Sequence, residues 1–340
     1  KTEALLLQKY AARDYLPIEG DSAFNHQMIE LALGPDAPRD RVACFQTIGG
    51  SYALRLGGEF LSRHLSSLIF LSQPTWMNHH LIFSHCGLTI ETYPYYDKTK
   101  ALIDFEGMVR AMNEMPPGTI VLIQSSCHNP TGAVLTKEQW EVVGKIMLEK
   151  RLFPFLDNAY QGFGKSLEED AAPMQILFKM GLEMFIASSC SKNFGLYGER
   201  VGALIYVADH KDSMPKVSSQ LKKIVRSFCS TPPIHGAAIV REILSNPALK
   251  EEWKKEVEQM RNRVISMRQA FAEALKRKSG KDYSFICEQE GFFSMLNLTE
   301  EQVLSLRKNH GVYLPTNGRI NLAGLTASNL DHVVDALINL

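Results

Sequence analysis

Short apolar runs alternate with amphipathic stretches along most of the chain. The runs are rich in branched and aromatic side chains, and they span residues 68–71, 119–124, 153–156, 184–187 and 201–207. Because these runs are apolar on both faces and lie between helical patterns, they predict a mostly parallel sheet that is covered by helices. The sequence therefore predicts an α/β fold.

A long helix is predicted late in the chain. Asn246-Pro247 is typical of a helix start, and apolar residues then recur every three or four positions until Gly280, which is typical of a helix end. We expect this helix to span about residues 247–279. A helix of this length is suited to join two domains.

Two domains of unequal size are expected on either side of this helix. The larger one would comprise residues 1–260 and the smaller α/β domain residues 261–340. In the smaller domain the patterns predict strands at 283–298 and 319–322 and helices at 299–310 and 328–340.

Composition narrows the classes of function. The 340 residues include 37 basic (Lys plus Arg) and 37 acidic ones, spread without long blocks, which argues against a nucleic acid or a membrane as a partner. Six isolated cysteines lack the spacing of a metal site or of a disulfide scaffold, so we expect reduced thiols, no metal and a cytoplasmic location. The chain begins at Lys1 without a leader, which suggests truncation and leaves targeting open.

The apolar run 184–187 leads into a segment of small hydroxyl residues that contains Lys192. A lysine directly after a buried strand is unusual, and desolvation near another cation lowers its pKa and makes it an imine-forming nucleophile. Ser189 and Arg200 would then hold a phosphate on the same side. The alternative is a surface turn whose Lys and Arg are solvated.

A carboxylate follows the run 153–156 directly, at Asp157. A carboxylate at the end of a buried strand needs a partner, and a protonated pyridine nitrogen would serve. Tyr160 lies three residues further on, where its phenol could reach an oxygen of the same ring. The alternative for Asp157 is an N-cap of the following helix.

Three further segments could contribute to the same site. Asn129 lies in a turn after the run 119–124 and presents an amide donor. Gly50 and Ser51 open a helical stretch, so free backbone amides would face an anion there. Trp76 offers a flat face to an aromatic cofactor, although a buried tryptophan is more often part of the core.

The segments 126–132, 157–163 and 189–202 resemble the family of class I, fold-type I pyridoxal-phosphate enzymes that includes aspartate aminotransferase. The resemblance extends over essentially the whole chain. It implies a large domain with a mostly parallel seven-stranded sheet, a smaller α/β domain, pyridoxal 5'-phosphate as the cofactor, and a homodimer with shared active sites.

The resemblance also implies roles for individual residues. Lys192 would form the Schiff base, Asp157 would pair with the pyridine nitrogen in front of His79, and Asn129 and Tyr160 would bond the ring hydroxyl, with Lys192, Asp157 and Tyr160 as the catalytic set. The rest of the cofactor would be held by Trp76 on the ring and, around the phosphate, by Gly50, Ser51, Ser189, Arg200 and Tyr15 of the neighbouring subunit.

The substrate residues implied by the resemblance are Arg319, for the α-carboxylate, and Arg226 of the neighbouring subunit, for the distal carboxylate, besides Trp76 and Asn129. Guanidinium groups match carboxylates bidentately. The implied activity is ping-pong transfer of an amino group from aspartate to 2-oxoglutarate. Ser51 resembles members of the family that also accept aromatic substrates.

Departures from the family pattern leave alternatives open. Tyr52, Gln124 and Thr231 stand where other residues are usual in the family. One alternative is an aromatic aminotransferase, and Arg226 argues for the dicarboxylic substrate. Another is a non-catalytic descendant without the family's N-terminal segment, which the presence of Lys192 argues against.

Overall fold

This computed structural model describes residues 1–9, 14–38 and 40–340. The strands are β1 (Val42–Thr47), β2 (Leu68–Gln73), β3 (Thr89–Pro94), β4 (Tyr96–Asp97), β5 (Leu102–Ile103), β6 (Ile120–Gln124), β7 (Phe153–Asn158), β8 (Met184–Ser189), β9 (Gly202–Val207), β10 (Phe293–Met295) and β11 (Arg319–Asn321). The helices are α1 (Thr2–Lys9), α2 (Ser22–Leu33), α3 (Gly50–His64), α4 (Asn78–His85), α5 (Phe105–Glu114), α6 (Lys137–Lys150), α7 (Leu167–Lys179), α8 (Met214–Phe228), α9 (His235–Ser245), α10 (Pro247–Ser279), α11 (Phe285–Glu288), α12 (Glu300–His310) and α13 (Leu330–Ile338).

A seven-stranded sheet forms the centre of the larger part of the chain, with strand order β1-β9-β8-β7-β6-β2-β3. Strands β2, β3, β6, β7 and β8 pair in parallel, and β9 is antiparallel to both of its neighbours. One apolar core lies on each face of the sheet. Burial on both faces explains why the central strands are continuously apolar, and the predicted α/β class with its mostly parallel sheet is confirmed.

The carboxyl ends of β6, β7 and β8 meet at one edge of the sheet. Gln124, the last residue of β6, lies opposite Asp157 of β7, and Asp157 lies opposite Ala187 of β8. Polar side chains that follow these strands in sequence are therefore neighbours in space. This is the edge at which parallel sheets place their ligands.

Helix α10 has the predicted bounds. The Asn246 side chain accepts hydrogen bonds from the first turn, and Gly280 ends the helix in the left-handed conformation, with φ of 72°. Trp253 belongs to a core beside the sheet, and Phe271 belongs to a separate core formed with α12 and α13. A change of core along one helix agrees with a division near residue 260, which stays a prediction. No described helix is long and apolar enough to cross a membrane.

The predicted strand at 283–298 is wrong over most of its length. The segment instead forms the short helix α11, a turn and the three-residue strand β10. Gly291 has φ of 73°, which interrupts extended backbone. Apart from the short pairing of β10 with β11, carbonyl groups of this segment accept hydrogen bonds from the Arg268 side chain. The other elements predicted for the smaller domain, β11, α12 and α13, are present within a few residues.

Candidate active site

Side chains from several loops line one cavity of about 210 Å³ at the carboxyl ends of the central strands. The predicted residues that line it are Gly50, Ser51, Trp76, Asn129, Asp157, Tyr160, Ser189, Lys192 and Arg200. The loops after four strands and the start of α3 thus converge as the sequence predicts. What each side chain can do depends on its surroundings.

Lys192 lies three residues beyond the end of β8, with its ammonium nitrogen 4.5 Å from the centre of the Tyr160 ring. Burial lowers the pKa of Lys192, Asp157 counteracts this shift, and the Arg200 cation adds to it. A lysine with a lowered pKa has more of its amine in the neutral, nucleophilic form near neutral pH. The cavity therefore contains an amine that is prepared for covalent chemistry.

Asp157 is supported from behind by a buried histidine. Nε2 of His79 lies 3.0 Å from Oδ2 of Asp157, and Nδ1 of His79 lies 2.8 Å from the Thr75 hydroxyl. A His79 ring with its proton on Nε2 donates to the carboxylate and accepts from Thr75. Trp76 contacts His79 edge to face, with ring centres 5.2 Å apart. The carboxylate is thus held in a fixed orientation at the cavity wall.

Asn129 is clamped by Gln124, a residue that the sequence had marked only as a departure from the family pattern. The side-chain carbonyl of Gln124 accepts from the Asn129 backbone N–H at 2.9 Å, and its amide donates to the Asn129 carbonyl at 2.9 Å. Both polar groups of the Gln124 side chain therefore form hydrogen bonds with the backbone of Asn129. The position of Gln124 at the end of a buried strand was the available signal for this role.

Arg319, in β11, does not line the cavity itself but contacts Asn129, which does. Its Nη1 donates to Oδ1 of Asn129 at 2.8 Å, and its guanidinium lies 4.3 Å from the centre of the Phe293 ring. Burial lowers the pKa of Arg319, and Tyr160 counteracts this shift. The sequence did not identify Phe293, because the pattern placed it inside a predicted strand. Asn129 and Phe293 together fix the orientation of the guanidinium.

The start of α3 has the geometry of an anion-binding cradle. Gly49 precedes the helix with φ of 84°, so the first helical amides, those of Gly50 and Ser51, face the cavity end. A Cβ added to Gly50 would lie 3.0 Å from Cβ of Ser189, and one added to Gly49 would lie 2.5 Å from the Arg200 guanidinium. Glycine at these positions lets the helix start, a hydroxyl and a cation converge.

Tyr15 and Arg226 do not line the cavity. Tyr15 is 91% exposed, and Arg226, on the last turn of α8, is exposed and donates to the Ser230 hydroxyl at 3.2 Å. These are the two residues that the resemblance assigns to the neighbouring subunit. Their roles across a subunit interface stay predictions, as do the roles of the other site residues.

A second histidine near the cavity is structural. His128 is buried, contacts the hydroxyls of Ser72 and Thr131 at 3.0 and 2.9 Å, and stacks on Tyr95. Burial lowers the pKa of His128 to about 3, and His79 adds to this shift, so the ring is neutral. Among the residues that the structure describes, no group of three or more His, Cys, Asp or Glu could hold a metal ion.

The comparisons with known proteins agree with this geometry. Residues 1–337 match the family model for aminotransferase class I and II. The mitochondrial aspartate aminotransferase P2 of Lupinus angustifolius is 43% identical, over 100% of this chain and 76% of that protein. The aspartate aminotransferase of Escherichia coli K12 is 41% identical, over 99% of this chain and 87% of that protein.

Solved structures show the same fold. The aromatic-amino-acid aminotransferase of Burkholderia pseudomallei, solved covalently bound to pyridoxal phosphate, is 42% identical and superposes with a TM-score of 0.97 over 99% of this chain and 86% of that chain. Two kinds of aminotransferase, named for aspartate and for aromatic amino acids, are therefore similar to this sequence at about the same level. The chain belongs to the class I and II aminotransferase family.

Proposed function

We propose that this chain is a pyridoxal-phosphate-dependent aminotransferase that moves the amino group of aspartate to 2-oxoglutarate. The observation that carries the proposal is the position of the Lys192 amine, with its lowered pKa, in a cavity that also holds Asp157 and the start of α3. The aspartate aminotransferases that share 41–43% identity with the chain support aspartate as the amino donor.

The residues of the cavity fit pyridoxal phosphate. Gly50 leaves open the space next to Ser189 where a Cβ would crowd the helix start, and a phosphate suits the free amides there. Asp157, which is bonded to His79 and lines the same cavity, suits a protonated pyridine nitrogen. When bound, the cofactor supplies an aldehyde that condenses with amines and a ring that accepts electrons from the substrate.

Proton movement falls to Lys192 in this proposal. Its Nζ, in the neutral form that burial favours, accepts the proton from the α-carbon of the substrate. Asp157, whose carboxylate is oriented by His79 at 3.0 Å, would accept a hydrogen bond from a protonated pyridine nitrogen. Burial raises the pKa of Tyr160, so its phenol keeps its proton and can donate a hydrogen bond to the oxygen on the cofactor's pyridine ring. The Asn129 amide can donate to the same oxygen.

Substrate binding falls to two arginines. Arg319, with its guanidinium held by Asn129 and Phe293, takes the α-carboxylate as a planar bidentate donor. Arg226 of a neighbouring subunit takes the distal carboxylate, which makes the active site a property of a homodimer. A cytoplasmic location is part of the same proposal.

Aromatic amino acids are the second candidate donors. The Burkholderia relative named for aromatic amino acids is 42% identical to this chain, and Ser51 resembles members of the family with wider specificity. A pocket that accepts both classes keeps Arg319 for the shared α-carboxylate. The ratio of kcat/KM for aspartate and for phenylalanine decides between a selective and a broad enzyme.

The first test is covalent attachment of the cofactor. Purified protein is mixed with pyridoxal phosphate, its visible spectrum is recorded, and the adduct is reduced with borohydride and located by peptide mass spectrometry. We expect a visible band and a label on Lys192. The Lys192→Ala variant should lack both, and Lys179→Ala, which changes an exposed lysine at the end of α7, should keep both. A label elsewhere, or no visible band in wild-type protein, would contradict the proposal.

A further inference from the structure

Arg268, on α10, is a buried arginine whose guanidinium donates its hydrogen bonds to one short segment. The residue is 2% exposed. Six hydrogen bonds of 2.6–3.1 Å connect its guanidinium to residues 286–294. The acceptors are the carbonyl oxygens of Ile286, Glu290, Gly291 and Phe293 and the hydroxyl of Ser294. A buried guanidinium is costly unless its donors are bonded, so this segment and Arg268 determine each other's position.

The same segment is fixed on its other side by the larger part of the chain. The backbone N–H of Glu290 donates to the Gly132 carbonyl at 2.7 Å, and Nε2 of Gln289 donates to the Tyr96 hydroxyl at 3.0 Å. A Cβ added to Gly132 would lie 2.3 Å from the Phe293 carbonyl oxygen, so the two backbones are in close contact. The segment is therefore held between α10 and the loop that follows β6.

Phe293 connects this segment to the site. Its ring lies 4.3 Å below the guanidinium carbon of Arg319, and it meets the Tyr160 ring edge to face, with centres 6.0 Å apart. A guanidinium stacked on an aromatic face is held in one plane. The plane of Arg319 therefore depends on where the backbone of residues 286–294 places Phe293.

We infer that Arg268 is a positioning residue for substrate binding: by fixing residues 286–294 it holds Phe293 against Arg319, and so sets the plane in which Arg319 takes the substrate α-carboxylate. This inference rests on the proposed function, which gives Arg319 that role. Lys192 and the anion cradle at α3 are held by other elements. Phe293 also contacts Tyr160, which the proposal assigns to the cofactor, so changes at Arg268 should weaken the binding of ligands that carry a carboxylate more than that of the cofactor.

Arg268→Lys is the most direct variant. A lysine keeps the positive charge but offers three donors at one point, which cannot reach acceptors spread over residues 286–294 as the guanidinium does. Arg268→Gln removes the charge as well. Both variants keep a long side chain inside the core that surrounds α10.

The test compares two reagents on the enzyme loaded with pyridoxal phosphate. Aminooxyacetate and hydroxylamine both carry an aminooxy nitrogen that displaces Lys192, but only aminooxyacetate has a carboxylate. We measure the second-order rate constants with which each abolishes the visible band. In Arg268→Lys we expect the ratio of the aminooxyacetate to the hydroxylamine constant to fall about tenfold, as for loss of one charge-assisted hydrogen bond. The band itself should still form.

A purely structural role gives a different result. A less stable protein has a smaller loaded fraction, which lowers the amplitude of the band but leaves the ratio of the two rate constants unaltered. An unchanged ratio would therefore overturn the inference. If neither Arg268 variant folds, Phe293→Leu takes their place, because the inference requires the same loss of ratio there. An unchanged ratio in Phe293→Leu also overturns it. If the wild-type protein forms no visible band, the result contradicts the proposed function and therefore also the inference that rests on it.

Discussion

Nη1 of Arg319 donates a hydrogen bond of 2.8 Å to Oδ1 of Asn129, a residue 190 positions earlier in the chain. The contact joins β11 of the smaller part of the chain to the loop that follows β6 in the central sheet. Because the side-chain carbonyl oxygen of Asn129 accepts from the guanidinium, the side-chain NH₂ group of Asn129 remains to donate into the cavity. One amide thus serves both the substrate side and the cofactor side of the proposed site.

Replacing Asn129 by alanine should weaken substrate binding. Arg319 loses the acceptor that orients its guanidinium, and we expect the KM values for aspartate and for 2-oxoglutarate to rise by about tenfold. Steady-state kinetics with both substrates provides the measurement. Asn113→Ala, at an exposed position of α5, is the matched control and should leave both KM values unchanged. Unaltered KM values in Asn129→Ala would show that Arg319 does not depend on this contact.

Adding a methyl group at Gly50 should reduce the affinity for the cofactor. The new Cβ would lie 3.0 Å from Cβ of Ser189, where it crowds the anion cradle, and we expect the Kd for pyridoxal phosphate to rise about tenfold. The measurement is a titration of the apoprotein, followed by the visible band. Gly198→Ala is the control, because a Cβ there meets nothing within 4 Å. Equal Kd values for Gly50→Ala and wild type would place the phosphate elsewhere.

Mixing two inactive variants should restore activity if subunits share their sites. A Lys192→Ala chain still supplies Arg226, and an Arg226→Ala chain still supplies Lys192. Random exchange between two homodimers gives half mixed dimers with one intact site each, so the mixture should recover about a quarter of the wild-type activity towards aspartate. Activity is measured before and after mixing under conditions that allow exchange. No recovery in dimers shown to be mixed would place Arg226 outside the neighbour's site.

Glu290 should make the stability of the fold depend on pH. Burial raises the pKa of Glu290 to about 7, Asp170 adds to this shift, and Lys165 counteracts it. A carboxyl group with a raised pKa in the folded state stabilises the fold fully below its unfolded pKa, and this contribution is lost as the pH rises through about 7. Stability should therefore fall between about pH 4.5 and pH 8 on account of this residue.

The Glu290→Gln variant cannot ionise and removes this dependence. At pH 8 we expect its free energy of unfolding to exceed that of wild type by about 1–2 kcal/mol, and at pH 5 the difference should become small. Urea denaturation at the two pH values provides the measurement, with the exposed Glu256→Gln as control. A variant less stable than wild type at pH 8 would mean that the ion pair with Lys165 outweighs the cost of burial.

Part of the site could be predicted from the sequence because polar residues follow directly on buried apolar strands. Lys192 and Asn129 follow two strands, and Asp157 lies at the end of the strand between them, so the order of strands in a parallel sheet brings the three together. The resemblance to a known family added Arg319, which no local pattern marks. Its contact with Asn129 depends on how the two parts of the chain pack.

The predictions that failed concern contacts between distant segments. The aromatic and apolar residues at 283–298 suggested a strand. Instead, the side chain of Arg268 on α10 donates hydrogen bonds to carbonyl groups that would pair with a neighbour in a strand. The role of Phe293 was missed for a similar reason, because its partner, the Arg319 guanidinium, lies on another strand. Gln124 is only five residues from Asn129, and its role was missed because the backbone conformation of the turn between them is not visible in the sequence.

The most direct test of the proposed activity is to trace the amino nitrogen of aspartate. Purified protein loaded with pyridoxal phosphate is given aspartate labelled with heavy nitrogen, together with 2-oxoglutarate, and glutamate is analysed by mass spectrometry. We predict labelled glutamate from wild type and from Lys179→Ala, and none from Lys192→Ala. Wild-type protein that binds the cofactor on Lys192 but produces no labelled glutamate would contradict the proposal that this chain transfers the amino group of aspartate.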